Sequence, residues 1–186
     1  MVDKIVVSFL ADEVVGGFFV SVPPGHVATI YDWGRGVLRQ TWGPGLHFKI
    51  PFWQKAKLFN VQTLEYTIKP NVNIEANPES LGDFPINAVT IDEHNINVHG
   101  SLLFRINREY VVSIWENIGE DFVSKIVRPV SRSRVRSSVS KFRLGEILNN
   151  RHTIEEEIKN QLNADFTTKG IVVEGVLLSD ISKAPI

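Results

Sequence analysis

The sequence contains no cysteine. That absence removes disulfides, thiolate zinc sites and cysteine nucleophiles, and it is compatible with a reducing compartment. Long hydrophobic runs are missing too. Residues 5–10 and 14–22 are apolar, but Asp12 and Glu13 separate them, and neither reaches the roughly 18–20 residues of a spanning helix. Asp3 and Lys4 do not form the basic flank of a signal peptide, so the chain as given is expected not to span a membrane. There is no excess of one charge: 20 Lys and Arg balance 21 Asp and Glu for a net charge of −1. Nothing pulls the whole chain toward nucleic acid or anionic lipid. A phosphate-cradling loop is absent as well. Gly43 and Gly45 lack a third glycine, and no Lys-Ser/Thr follows them.

What is present is enough for one domain. With 186 residues and 43% hydrophobic composition, the chain can bury one substantial core. Its central stretch is Trp42 to Trp53. Gly43, Pro44 and Gly45 make a turn. After it Leu46, Phe48 and Ile50 alternate with His47 and Lys49, the period of a half-buried strand, which Pro51 ends. Trp42, Phe48, Phe52 and Trp53 supply an apolar mass that would anchor a small core.

Strands flank this stretch. Residues 19–23, 27–31 and 37–40 read as extended segments closed by turns at Pro23-Pro24-Gly25 and residues 32–36. Residues 57–69 alternate as one strand with a bulge near 60–63. Residues 71–83 are polar and read as a solvated loop. Residues 85–91 and 95–106 form a hairpin, with Ile96, Val98, Gly100, Leu102 and Phe104 on one face.

From Arg108 the period changes to 3.6. Tyr110, Val111, Ile114 and Trp115 form one helical stripe, and Phe122, Ile126 and Val130 form another, with Pro129 placed to kink or restart that helix. Ile154, Ile158, Leu162 and Phe166 define a third helix, with Thr153 and Glu156 as a capping box and Gly170 as its stop. A closing strand follows over residues 171–178. Strands, then helices, then a strand give an α+β layout.

Catalytic and metal chemistry find little support. His94 and His99 are five residues apart and face opposite ways on a strand, while His26, His47 and His152 are isolated. Ser101, His99 and Asp92 can be assembled into a triad on paper, but without a nucleophile elbow. Neither a cofactor nor an enzymatic activity is expected. Arg128, Arg132, Arg134, Arg136, Lys141 and Arg143 form a cationic run with no acid among them. Three readings are open for it: a solvated helix face, a contact with a neighbour's acidic face, or a basic-helix module for nucleic acid or anionic lipid. No aromatics interleave with the cations, which argues against base stacking.

A set of motifs carries a resemblance. Gly43-Pro44-Gly45, His47, Phe48 and Pro51-Phe52 follow a Pro24-Gly25 turn by about twenty residues. Thr90-Ile91-Asp92 precedes Phe104-Arg105-Ile106, and Arg128-Pro129 opens a run continued by Arg132 and Arg136. Gly170-Ile171-Val172-Val173 then leads to Asp180-Ile181. In order and spacing, from about Val22 to Pro185, this resembles the SPFH or band 7 domain of stomatins, prohibitins and flotillins.

The resemblance implies a twisted, partly curled antiparallel sheet with three to four helices packed on it. It implies an N-terminal apolar arm over residues 1–20 and the domain proper over 21–186, strand-rich over about 21–106, helical over about 108–169 and closed by a strand at about 171–178. It implies a non-enzymatic, membrane-associated scaffold that assembles with like or unlike SPFH subunits. Such a scaffold organises membrane microdomains or regulates partner membrane proteins such as proteases, with no nucleic acid partner. On this reading Arg128, Arg132 and Arg136 are candidates for subunit or partner contact, and Phe18, Phe19 and Val20 for membrane contact. The arm can equally pack on the domain. Family members usually add a hydrophobic N-terminal segment and a C-terminal coiled coil, whereas here the first is short and no heptads precede Ile186.

Overall fold

A computed structural model of the chain describes residues 17–70, 81–147 and 149–183. Residues 1–16, 71–80, 148 and 184–186 lie outside it, among them most of the expected arm and most of the expected 71–83 loop. Ten strands are described: β1 (Phe19–Val22), β2 (His26–Asp32), β3 (Gly36–Val37), β4 (Gly45–Phe48), β5 (Gln54–Asn60), β6 (Leu64–Ile68), β7 (Gly82–Asp83), β8 (Ile86–Val89), β9 (Asn95–Ile106) and β10 (Ile171–Lys183). Between β9 and β10 come a 3₁₀ turn (Arg108–Tyr110) and four helices: α1 (Val111–Asn117), α2 (Arg128–Val139), α3 (Leu144–Ile147) and α4 (Arg151–Thr167). The architecture is α+β, and no closed barrel forms among the described residues.

Strand β9 is the spine. Its twelve residues pair along one edge with the whole of β10 and along the other with β6 and then β8. Ile96, Val98, Leu102, Phe104 and Ile106 point to one face and are buried there, as period two demands. Against that face lie Ile154, Ile158, Leu162 and Phe166 of α4 with Val135 and Val139 of α2, in one continuous core. Phe104 meets Phe122 edge-on at 6.3 Å. Two smaller sheets precede this one: β3–β2–β5, and the ribbon β1–β4. Val27 and Phe59 tie the former into the core, where Phe59 packs edge-on to Trp115.

Several expectations are corrected. Residues 57–69 are not one bulged strand. β5 ends at Asn60, whose side-chain oxygen accepts from the Gln62 amide, and β6 begins at Leu64 in a different sheet. The phase slip is therefore a sheet change, fixed by the Val61 amide donating to Gly25 O at 2.9 Å. The closing strand does not stop at residue 178: β10 runs to Lys183, with bulges between Val173 and Gly175 and between Leu178 and Asp180. The return strand at 37–40 shrinks to Gly36–Val37.

Helix α4 starts at Arg151, two residues before the expected cap, because α3 leads straight into it. The Asn150 amide donates to Glu146 O and the Ile154 amide to Asn150 O, so Thr153 already lies in the first turn. Pro129 marks a restart. A π turn (Val123–Val127) precedes it, and Pro129 sits in the first turn of α2, where a missing N–H costs nothing. The extra residue of the π turn moves Val127 into the core and leaves Ile126 and Val130 half-buried.

Candidate functional site

The aromatic stretch around the Gly43-Pro44-Gly45 turn is strand-like, but its apolar side faces outward. Register places Phe19 opposite Phe48 and Ser21 opposite Leu46 on one face of the β1–β4 ribbon. Val20, Val22 and His47 take the other face. Val22 is buried there and Val20 half-buried, and His47 stacks on Trp42 at 5.1 Å with Nε2 2.7 Å from Gly43 O. The inner side of the ribbon is thus built from a histidine and valines. On the outer side Leu46 is 69% and Phe48 60% exposed, so this stretch anchors no core. A two-stranded ribbon has a second face, and no described element covers this one.

The exposed face continues along the chain. Phe18 stacks on Phe48 at 6.0 Å and Phe19 meets it edge-on at 5.9 Å. Beyond Phe48, Ile50 and Trp53 are half open to solvent, and Trp53 lies 6.2 Å from Trp33. Phe52, between them, is 95% exposed with a backbone φ of 63°. That conformation costs a non-glycine residue of order 1 kcal/mol or more. The turn holding it is fixed behind. Gln54 Nε2 donates to Asp32 Oδ2 at 3.0 Å, Gln54 Oε1 accepts from the Ile50 amide, and the Trp33 amide donates to Trp53 O. Asp32 also accepts from Arg35 and from the Gly34 and Arg35 amides. The Arg35 and Gln54 hydrogen bonds hold the Asp32 carboxyl well below the usual carboxylate range.

The arginine row is the second feature. Arg128, Arg132 and Arg136 stand four residues apart, one above the other on α2, and all three reach the same segment of chain. Arg128 Nη2 donates to Gly82 O, Arg132 Nη1 to Asp83 Oδ2 at 2.7 Å and to Phe84 O, and Arg136 Nε to Asn87 O at 2.9 Å. The row therefore grips the β7–β8 segment from its helix. Two further cations of the run are also engaged within the chain, Arg134 with Asp165 through two hydrogen bonds and Lys141 with Glu157. Nothing in the sequence signalled this, because the acceptors lie 16 to 49 residues away and several are backbone carbonyls.

Asp83 is the centre of that grip. It is buried, and it accepts from Tyr66 Oη at 2.6 Å and from the Phe84 amide at 2.8 Å as well as from Arg132. Burial pushes the Asp83 carboxyl up, but the bonds from Tyr66, Arg132 and Phe84 outweigh it and the group sits below its usual range. Burial, followed by the bond to the Asp83 carboxylate, pushes the Tyr66 hydroxyl well above its ordinary value. A carboxyl whose folded value is depressed stabilises the fold above its unfolded value and loses that contribution as pH falls. Asp32, Asp83, Asp92 and Asp165 are all depressed from 3.8. Urea midpoints are therefore expected to hold steady from about pH 7 to pH 5 and to fall progressively below about pH 4. Asp83→Asn is expected to flatten that fall. An unchanged slope in the variant would show that Asp83 is not a major contributor.

The paper triad is not assembled. Ser101 Oγ donates to Glu65 at 2.6 Å, His99 Nε2 lies 3.3 Å from Ser182 Oγ, and Asp92 accepts from Thr90 and from the Leu144 amide at the start of α3. No group of three or more His, Asp or Glu side chains suited to a metal occurs among the described residues. No described helix is long and apolar enough to cross a membrane.

The fold and this surface define an α+β domain organised on one long strand, with an apolar aromatic face turned outward. The family model of the SPFH domain / Band 7 family matches residues 20–185, and the chain belongs to that family of non-enzymatic, membrane-associated scaffolds. Over 173 residues it is 26% identical to Prohibitin 1 of Mus musculus, covering 93% of this chain and 58% of that protein. It is 25% identical to Prohibitin-1 of Saccharomyces cerevisiae over 88% of this chain and 52% of that one. To Prohibitin-3, mitochondrial, of Arabidopsis thaliana it is 23% identical over 92% and 56%. The chain thus spans a little over half the length of these relatives.

Proposed function

We propose that this chain is the lipid-facing domain of a membrane-associated scaffold that assembles with other SPFH subunits. The observation that carries the reading is the apolar face of Phe18, Phe19, Leu46, Phe48, Ile50 and Phe52, left open by the described elements and held on a fixed turn. An exposed aromatic face of this kind is the mark of an interaction surface. Such side chains gain from leaving water at a bilayer interface. Phe18 and Phe19 belong to this contact, while Val20 supports it from the inner side of the ribbon. Of the arm over residues 1–20, the described residues 17–20 are the part proposed for membrane approach, and residues 21–186 are proposed as the domain proper.

In the assembly, subunit or partner contact runs along α2, where Arg136 is exposed and Arg128 and Arg132 keep part of their guanidinium groups open. Organisation of membrane microdomains, and restraint of partner membrane proteins such as proteases, are the roles proposed for the assembled scaffold. The basic-helix alternative, binding nucleic acid or anionic lipid, is not favoured by cations that are already engaged within the chain.

The test is flotation with phospholipid vesicles. The chain is expected to float, and Leu46→Asp/Phe48→Asp to stay behind. Two apolar side chains contributing about 1.5 kcal/mol each on burial correspond to on the order of a hundredfold in partitioning. Both residues are exposed, so the variant should keep the parent's circular dichroism and melting midpoint. A variant that floats like the parent, or a parent that stays in the dense fraction, would overturn the proposal.

A further inference from the structure

Charge is segregated within the fold although the whole chain is nearly neutral. Residues 17–60, which build both small sheets and the apolar face, contain Arg35, Arg39, Lys49, Lys55 and Lys57 against a single acid, Asp32. That acid is buried and fully occupied by Arg35, Gln54 and two backbone amides. Lys57 is paired with Glu120 at 2.5 Å. Arg39, Lys49 and Lys55 have no ion-pair partner among the described residues. Their placement is specific. Lys49 is half-buried and alternates with the exposed Phe48 and Ile50, so it leaves the strand at the edge of the aromatic face rather than from it, and its amide donates to Phe18 O at 2.8 Å. Lys55 follows Trp53 by two residues and is exposed on β5 opposite Tyr31.

Resting on the membrane reading above, we infer that this face selects anionic phospholipid, with Lys49 and Lys55 at the rim of the aromatic surface contacting headgroup phosphates. The physics has two parts. Aromatic and aliphatic side chains supply an attraction that does not depend on lipid charge. Lysines at their edge add a Coulomb attraction to a negative surface, which reaches only about a Debye length and is screened by salt. A lysine with a flexible stem beside an apolar contact can lay its methylenes on that contact and keep its ammonium at headgroup level. Asp32 would oppose this attraction if it were open to the surface. Its enclosure by Arg35 and Gln54 hides the negative charge from the lipid, so the segment presents cations alone.

The experiment compares flotation of the chain with vesicles of phosphatidylcholine alone and of phosphatidylcholine with about 30% phosphatidylglycerol. The expected result is stronger binding to the anionic vesicles, weakened as salt rises from about 0.05 to 0.5 M. Each cation at the surface contributes roughly fivefold, so Lys49→Gln/Lys55→Gln should lose on the order of twentyfold on anionic vesicles and nearly nothing on neutral ones. Arg108→Gln/Arg143→Gln, the same charge change on exposed residues of the helical half, should behave like the parent. Equal binding of the parent to both vesicles overturns the inference and leaves the membrane reading standing. So does an equal loss in the two double variants, which would make net charge rather than the rim responsible. If the parent floats with neither vesicle, the membrane reading fails and the inference fails with it.

Discussion

Asp83→Ala is expected to destabilise the fold by about 3 kcal/mol, from the loss of a charge-assisted hydrogen bond and a buried Tyr66 hydroxyl left without its acceptor. Asp83 is only 5% exposed and joins three elements: Tyr66 of β6, the Phe84 amide leading into β8, and Arg132 of α2. Its removal leaves the Tyr66 hydroxyl buried without an acceptor. It also takes away the carboxylate that lies 3.5 Å from Arg128 Nε, an atom with no hydrogen bond of its own. Tyr66→Phe should cost less, about 1 kcal/mol, because Asp83 keeps Arg132 and the Phe84 amide. The double variant should cost less than the sum of the two, since both remove the same hydrogen bond. Urea unfolding at neutral pH measures all three. A loss under about 1 kcal/mol for Asp83→Ala would mean that the cluster is not an internal lock.

Gly100→Ala is expected to cost about 3 kcal/mol, at the upper end for overpacking, because the obstruction is main chain. A Cβ on Gly100 would lie 2.3 Å from the Leu177 carbonyl oxygen and 3.3 Å from Leu178 Cα. Neither atom is on a side chain that could swing away. Gly100 pairs with Leu178 just before the second bulge of β10, and the Leu178 amide donates to Glu155 of α4 at 2.7 Å. Moving that backbone would also pull on the helix. Gly175→Ala is the comparison on the same strand pair. Its Cβ would meet only the Leu103 side chain, Cδ1 at 3.6 Å and Cβ at 4.0 Å, both ordinary contacts, so it should stay within about 1 kcal/mol of the parent. Equal melting midpoints for the two variants would show that β10 yields at the bulge and that the close approach carries no cost.

The sequence by itself determined those elements whose burial follows their own period. The 85–106 hairpin and the Ile154, Ile158, Leu162, Phe166 stripe are found where alternation and 3.6 spacing place them, each apolar side buried. Family membership was equally legible, since it rests on short motifs in a fixed order rather than on contacts. Only the tertiary structure decided which side of a periodic element meets the core. Leu46 and Phe48 alternate with His47 as a buried strand would, yet pairing with Phe19–Val22 turns them outward, because a two-stranded ribbon gives its second face nothing to pack on. In the same way four-residue spacing put Arg128, Arg132 and Arg136 on one side of a helix, but what that side touches was set by Gly82 to Asn87. Local spacing fixes direction relative to the element's own axis. The position of a distant segment, and hence whether a side chain is spent within the fold or left for a partner, is fixed only when the sheets close around β9.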